Sequence, residues 1–221
     1  MGYTHYWYRP LKIPAEIFWA IRLDFERLVL PLADLGVPLA GGIGEGLPVI
    51  TNDLICFNGV KLCGHPANEH LSIPFPATDA SGIGPSTSAL DESNGLISKI
   101  KHRCCNGECD YETFLFPRSL DPDDVLPPDR HGRVFGFTKT AFRPYDIAVT
   151  AALLIAKKNL KDQIMVHTDG HDSHWSDAKR ICQEVLGYGD WFGIVEEEVE
   201  GDDDEKSATP TLIEIRPPVL A

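Results

Sequence analysis

Residues 145–159 read YDIAVTAALLIAKKN, and their apolar side chains run nearly all the way round a helix instead of along one stripe. Such a helix is stable in water only when other elements cover every side of it, so the chain has to build layers around it. Pro144 precedes the run, where a fixed φ and a missing N–H suit a first helical turn. The length permits the burial: 221 residues with 43% hydrophobic content supply a core for one large domain.

Periodicity supplies the covering layers. Between residues 14 and 35, Ile17, Ile21, Phe25, Leu28, Leu32 and Leu35 recur at spacings of three and four, which predicts an amphipathic helix that Pro31 kinks or ends. Trp175, Ala178, Ile181, Cys182 and Val185 form a third helical stripe, capped by Asp172 or Ser173 and ended by the glycines of GYG. Strands are predicted at 3–8, 49–50, 54–57, 112–116, 133–139 and 164–166. In the first of them Tyr3, His5 and Trp7 share one face while Thr4, Tyr6 and Tyr8 share the other. Bulk on both faces predicts a covered, central strand. The order of elements predicts an α+β fold: one largely antiparallel sheet with about three helices packed mainly on one face. AGGIGEG follows a helix and is closed by Pro48, the reverse of a phosphate-cradling loop, and reads as a connector.

Two stretches break the pattern. Residues 60–110 contain Pro66, Pro74, Pro76 and SGIGPSTS and read as an irregular, cysteine-containing insertion. After a single domain over 1–195 comes EEEVEGDDDE, so 196–206 reads as an acidic disordered linker and 207–221 as a C-terminal tail or edge strand.

The formal charge is −13, but eight acidic side chains sit in that one run and the body of the chain is only mildly acidic. No basic surface exists to neutralise phosphates, which argues against nucleic acid and against an anionic membrane as partners. No stretch approaches the roughly 20 apolar residues of a membrane span, and the start lacks the features of an export signal. The expectation is a cytoplasmic protein with a small-molecule ligand. Six cysteines in that compartment read as reduced thiols or metal ligands before disulfides.

The strongest metal signal joins ICFNGVKLCGH to HRCCNGECDYETF. Cys105 and Cys109 lie four apart with Asn106 and Gly107 to turn between them, and Cys63 and His65, with Cys56 nearby, complete a tetrahedral zinc set. A long irregular insertion gains rigidity from such an ion. Zinc, a disulfide and unbridged thiols all fit the spacing, and Cys104 is a rival ligand. HTDGHDSHW gathers His167, Asp169, His171 and His174, donors of the kind that hold zinc or iron, although Gly170 breaks the strand and a histidine-rich helix cap explains the same residues better.

FGFTKTAFRPYD crowds Lys139, Thr140, Arg143, Tyr145 and Asp146 at a strand-to-helix junction, where free N–H groups and the positive end of the helix dipole favour an anion. Asp146 is also what any first turn prefers. Glu112 and Asp169 are carboxylates on or beside apolar strands, and a buried carboxylate has to be paired, hydrogen-bonded or used. Lys139 and His5 are the candidate partners.

As a set, these residues resemble a family of small phage and bacterial proteins that begin MGYTHYW and carry FNG, ETF, KTA, PYD and SDG segments. Here those are residues 2–7, 57–59, 112–114, 139–141, 144–146 and, as TDG, 168–170, with Trp175 on the following helix. The resemblance implies no particular reaction. It implies that Tyr3, His5, Asn58, Glu112, Lys139, Asp146 and Asp169 form one constellation, and it marks the cysteine-bearing insertion, the acidic run and His167 as departures from the pattern.

The leading functional expectation is a metal-independent enzyme, a lyase, isomerase or hydrolase acting on a small polar or anionic substrate and requiring no cofactor. His5 or Glu112 moves a proton, Lys139 holds negative charge, and Asp169 orients His5 or Lys139. Tyr3, Asn58, Arg143, Tyr145 and Asp146 bind the substrate. One alternative is a non-catalytic accessory or inhibitor protein of phage type using the same pocket for a ligand or a protein. A second is a zinc-binding protein using Cys63, His65, Cys105 and Cys109.

Overall fold

The computed structural model describes residues 3–63, 105, 107–199 and 207–214, without the side chains of 196–199, 207–209 and 214. Along the chain run β1 (Thr4–Pro10), α1 (Ala15–Asp34), β2 (Leu39–Ala40), β3 (Val49–Ile50), β4 (Leu54–Gly59), β5 (Phe114–Pro117) and β6 (Arg133–Lys139). They are followed by α2 (Asp146–Leu160), β7 (Met165–Thr168), α3 (Ser176–Leu186), β8 (Phe192–Val199) and β9 (Ser207–Glu214).

The expected α+β fold is present. Five strands form an antiparallel sheet in the order β6-β1-β7-β9-β8. Its inner face presents Trp7, Val166, Phe192 and Leu212 to the core, and the three helices pack against one another, with α2 also against β7 and β9. α2 is the centre of this layer: Ile147 to Ala156 are all buried, as a helix apolar all round requires. Each fully buried leucine or isoleucine in it contributes about 1.5–3 kcal/mol. β1 is interior, between the edge strand β6 and β7, with Thr4 opposite Lys139 and His5 opposite Thr138 and Thr168.

Not all strands join one sheet. β4 pairs with β2, β3 and β5 in a second small antiparallel sheet. Aromatic stacking binds it to α1, with Phe25 4.9 Å from Phe57 and Phe18 6.4 Å from Phe116, and Trp7 of β1 packs on Phe114 and Phe116. Arg9, buried at the end of β1, donates to the carbonyls of Pro10 and Pro117 and lies 4.8 Å from the centre of the Phe116 ring. Burial pulls its guanidinium down to about 10.

Three expectations need correction. Glu196, Glu197 and Glu198 belong to β8 and not to a linker. The acidic run hid a strand whose start alternates Phe192 and Ile194 toward the core. Ser207–Glu214 is neither a tail nor an edge strand, because β9 is interior, between β7 and β8. The third helix is not capped by Asp172 or Ser173. A single 3₁₀ turn over Asp172–Trp175 precedes α3, and Asp172 Oδ1 instead accepts from Lys179 and from the Ile194 N–H of β8. Residues 64–104, 200–206 and 215–221 lie outside the described residues, and with them most of the predicted insertion, His65 and Cys104. No helix among the described residues is long and apolar enough to cross a membrane.

Candidate functional site

Cysteines near the two ends of the predicted insertion converge. Cys63 follows β4, and Cys105 and Cys109 precede β5. Cys105 Sγ lies 3.3 Å from Cys63 Sγ and 3.2 Å from Cys109 Sγ, and the three sulfurs all fall within 4.8 Å of one another. The sequence accounts for the local turn: Gly107 takes φ +83°, and Glu108 N–H donates to the Cys105 carbonyl, folding Cys109 back over Cys105. The cluster is anchored to the domain on two sides. Cys109 N–H donates to the Val60 carbonyl, and the Arg143 guanidinium donates to the Cys105 carbonyl. Cys105 is fully buried and Cys109 nearly so, while Cys63 is half-buried.

Three thiols are a poor hydrogen-bonding set, since each is a weak donor and a weak acceptor. Burial pushes the Cys105 thiol up to about 11, with the neighbouring Cys63 adding to the shift. Burial and the neighbouring Cys105 also push Cys109 far up. A bound cation reverses that preference by stabilising the thiolates. The three cysteines can therefore hold a metal ion.

His5 stands in a second cluster. It is fully buried, with Nε2 2.8 Å from Asp146 Oδ1 and Nδ1 3.1 Å from Thr168 Oγ1. The Thr140 hydroxyl donates to the same Asp146 oxygen at 2.6 Å, and Gly170 N–H donates to Thr168 Oγ1. One tautomer satisfies the whole chain: Nε2–H donates to Asp146, and Nδ1 accepts from the Thr168 hydroxyl. Tyr3 at 5.0 Å and Trp175 at 5.3 Å close over the imidazole edge to face.

The remaining predicted residues gather around the same end of β1, but on different sides of it. Glu112 accepts from Lys139 N–H through Oε2, and its own N–H donates to the Lys139 carbonyl. The Tyr145 hydroxyl donates to the carbonyls of Glu112 and Lys139, and burial, with Asp146 and Glu112 nearby, pushes its pKa far up. Lys139 Nζ lies 5.8 Å from the centre of the Tyr111 ring. Asn58 joins the two sheet margins, donating to the carbonyls of Gly42 and Tyr111 and accepting from Gly59 and Tyr111 N–H groups.

Asp169 lies on the opposite face of the sheet from His5. It is exposed, takes the Thr4 N–H at 3.1 Å and the Tyr6 hydroxyl at 3.0 Å, and so orients neither His5 nor Lys139. The carboxylate that meets His5 is Asp146, expected from the sequence to bind substrate or simply to suit a first helical turn. Glu112 and Lys139 meet through the backbone, with no ion pair between their side chains among the described residues. The histidines of HTDGHDSHW form no metal-ligand group among the described residues: His167 bonds the Thr211 hydroxyl on the outer face, and His171 and His174 cap the 3₁₀ turn, His174 Nδ1 accepting from His171 N–H. Neither a family model, nor a curated protein, nor a solved structure matches the chain.

Proposed function

We propose that this chain is a metal-binding protein in which Cys63, Cys105 and Cys109 hold zinc as thiolates. The ion joins the end of β4 to the approach to β5 and thereby fixes both ends of the segment between them. The observation that carries the reading is the convergence of three sulfurs from two distant stretches of sequence.

An all-sulfur donor set favours a soft or borderline cation over magnesium or calcium. Sulfurs at about 2.3 Å from a tetrahedral zinc stand about 3.8 Å from one another, so a small outward movement from 3.2 and 3.3 Å accommodates it. Three thiolates leave one position. The sequence offers His65 and Cys104 for it, both outside the described residues. Four protein ligands make a closed site that contributes folding energy and leaves no place for substrate.

The same reading gives His5 a structural task. Both His5 and Asp146 have 0% exposure, which favours a buried polar network that fixes β1 between β6 and β7 over proton transfer to a substrate.

Metal analysis of the protein purified without chelators tests the proposal, together with replacement by cobalt, whose thiolate complexes absorb in the near ultraviolet. One equivalent of zinc, thiolate-to-cobalt absorption and loss of both in Cys105→Ser are expected. Protein free of stoichiometric metal that also gives no such absorption on cobalt addition overturns it.

A further inference from the structure

The two buried cysteines of the cluster are tied down from different sides. Cys109 is held from the strand side, where its N–H donates to the Val60 carbonyl just after β4. Cys105 is held from the helix side: the Arg143 guanidinium donates to its carbonyl, which also takes the Glu108 N–H of its own turn. Arg143 lies three residues ahead of the first residue of α2, so this contact joins the cysteine turn to the start of the buried helix.

The backbone that aims Arg143 is strained. Ala141 and Phe142 take φ +48° and +57° in succession, a left-handed conformation that residues with a Cβ seldom adopt. Hydrogen bonds hold it in place. The Tyr3 carbonyl accepts from both Thr140 and Ala141 N–H, Arg143 N–H donates to the Thr140 carbonyl, and the Arg143 carbonyl accepts from Asp146 N–H. A strained turn fixed from several sides points to a task for the group it presents, which here is a cation. Carboxylates are near, since Tyr145 is pushed up by burial first and then by Asp146, Glu112 and Asp110, with Arg143 opposing them. Yet among the described residues no carboxylate forms an ion pair with Arg143. Its guanidinium reaches Cys105 instead, and its Nε is buried without a hydrogen-bond partner among those residues.

We propose that Arg143 is a positioning residue for the metal centre, fixing Cys105 through its carbonyl and setting a guanidinium beside the ligands. The inference rests on the reading of Cys63, Cys105 and Cys109 as zinc thiolates. Three thiolates on a zinc ion carry one net negative charge, and a fourth thiolate would make it two. In a buried setting that excess needs a counter-charge, and arginine stays charged there while using its planar fork to orient a neighbour. Partners behind the ligands commonly set metal affinity in this way.

Zinc affinity, measured by competition with a chromophoric chelator in the full chain, tests the assignment. Arg143→Met is expected to bind zinc about tenfold or more weakly. Its cobalt complex is expected to keep the wild-type thiolate absorption per bound ion, because the ligands themselves are unchanged. Arg143→Lys, which retains a cation and a donor, is expected to regain part of the loss. A merely structural arginine would destabilise metal-free and loaded protein alike and leave affinity unmoved. One measurement needs no variant: exchange of the Arg143 Nε hydrogen, read by NMR, is expected to slow when zinc is added to the unaltered protein. Wild-type zinc affinity in Arg143→Met, an Arg143→Lys variant as weak as Arg143→Met, or Nε exchange indifferent to zinc overturns the inference. Unaltered protein that takes up neither zinc nor cobalt overturns instead the metal reading beneath it.

Discussion

The two polar clusters of this molecule are both assembled from distant residues, yet they are chemically opposite. Around His5 unlike groups meet: Asp146 takes the imidazole and the Thr140 hydroxyl, and Thr168 links the imidazole to Gly170 N–H. Around Cys105 three like groups face one another through weak S–H contacts, and Cys63 also reaches the Gly107 carbonyl. In the first cluster unlike groups pair with one another. The second gathers buried groups that repel one another once ionised, an arrangement that gains most from a cation. Burial alone does not distinguish structural from ligand-binding polar residues here. Whether the members satisfy one another does.

The largest expected effect tests the cysteine cluster. Removing metal with a strong chelator, or substituting Cys105→Ser, is expected to lower unfolding free energy by about 4 kcal/mol or more, the stabilisation given by a ligand at a thousandfold its dissociation constant. Calorimetry with and without added zinc reads it. A chelator-insensitive transition would make the two clusters alike, both merely structural. His5→Ala comes next. It leaves Asp146 buried without its imidazole, which is expected to cost about 3 kcal/mol or more in denaturant unfolding. Its zinc content is expected to stay at the wild-type level, since the network does not support the sulfurs. A variant that keeps full stability would show that the imidazole and carboxylate hold nothing together.

The two clusters were also unequally legible in the sequence. Cys105 and Cys109 announce themselves by spacing, and Gly107 by the turn it allows; only Cys63, across the insertion, had to be guessed. His5 and Asp146 were both singled out, but not as partners. Their contact depends on α2 beginning under β1, a tertiary fact that no local period contains, and so Asp169 looked the better carboxylate. Strand alternation could have warned against it, because Asp169 bonds Tyr6, on the face of β1 opposite His5. α1 and α3 were readable because burial imposes a period on them, α2 because its apolar side chains run all the way round, and β1 because its residues are strong β-formers. β8 was not, because its acidic half carries the composition of a solvated run and its pairing with β9 is long-range.

A smaller effect probes how tightly the His5 cluster is closed. A Cβ placed on Gly170 would lie 2.2 Å from the Tyr3 hydroxyl oxygen and 2.7 Å from its ring, so glycine is needed for Tyr3 to cover His5. Gly170→Ala is expected to cost about 1–3 kcal/mol through this overpacking. It should also speed amide exchange at Asp169, whose N–H bonds the Thr4 carbonyl beside Tyr3. Unchanged stability and exchange would mean that Tyr3 moves aside freely and does not seal the imidazole.

The smallest effect separates the empty from the loaded cysteine cluster by the sign of a pH dependence. In metal-free protein the Cys105 thiol is raised from 9.0 to about 11, by burial first and by Cys63 after it. Its neutral form is favoured by the fold, so that contribution is fully present below pH 9 and is lost as pH rises toward 11. The loss is expected to be on the order of 1 kcal/mol, read as a falling unfolding midpoint in urea. Zinc inverts the sign, because the ion holds the thiolate. Stability of the loaded protein is then expected to be flat over the alkaline range and to fall on acidification, as protons compete for sulfur and the metal leaves. Midpoints measured with and without zinc should therefore diverge at high pH and converge at low pH. Parallel curves would remove Cys105 from the ligand set even in a protein that binds metal elsewhere.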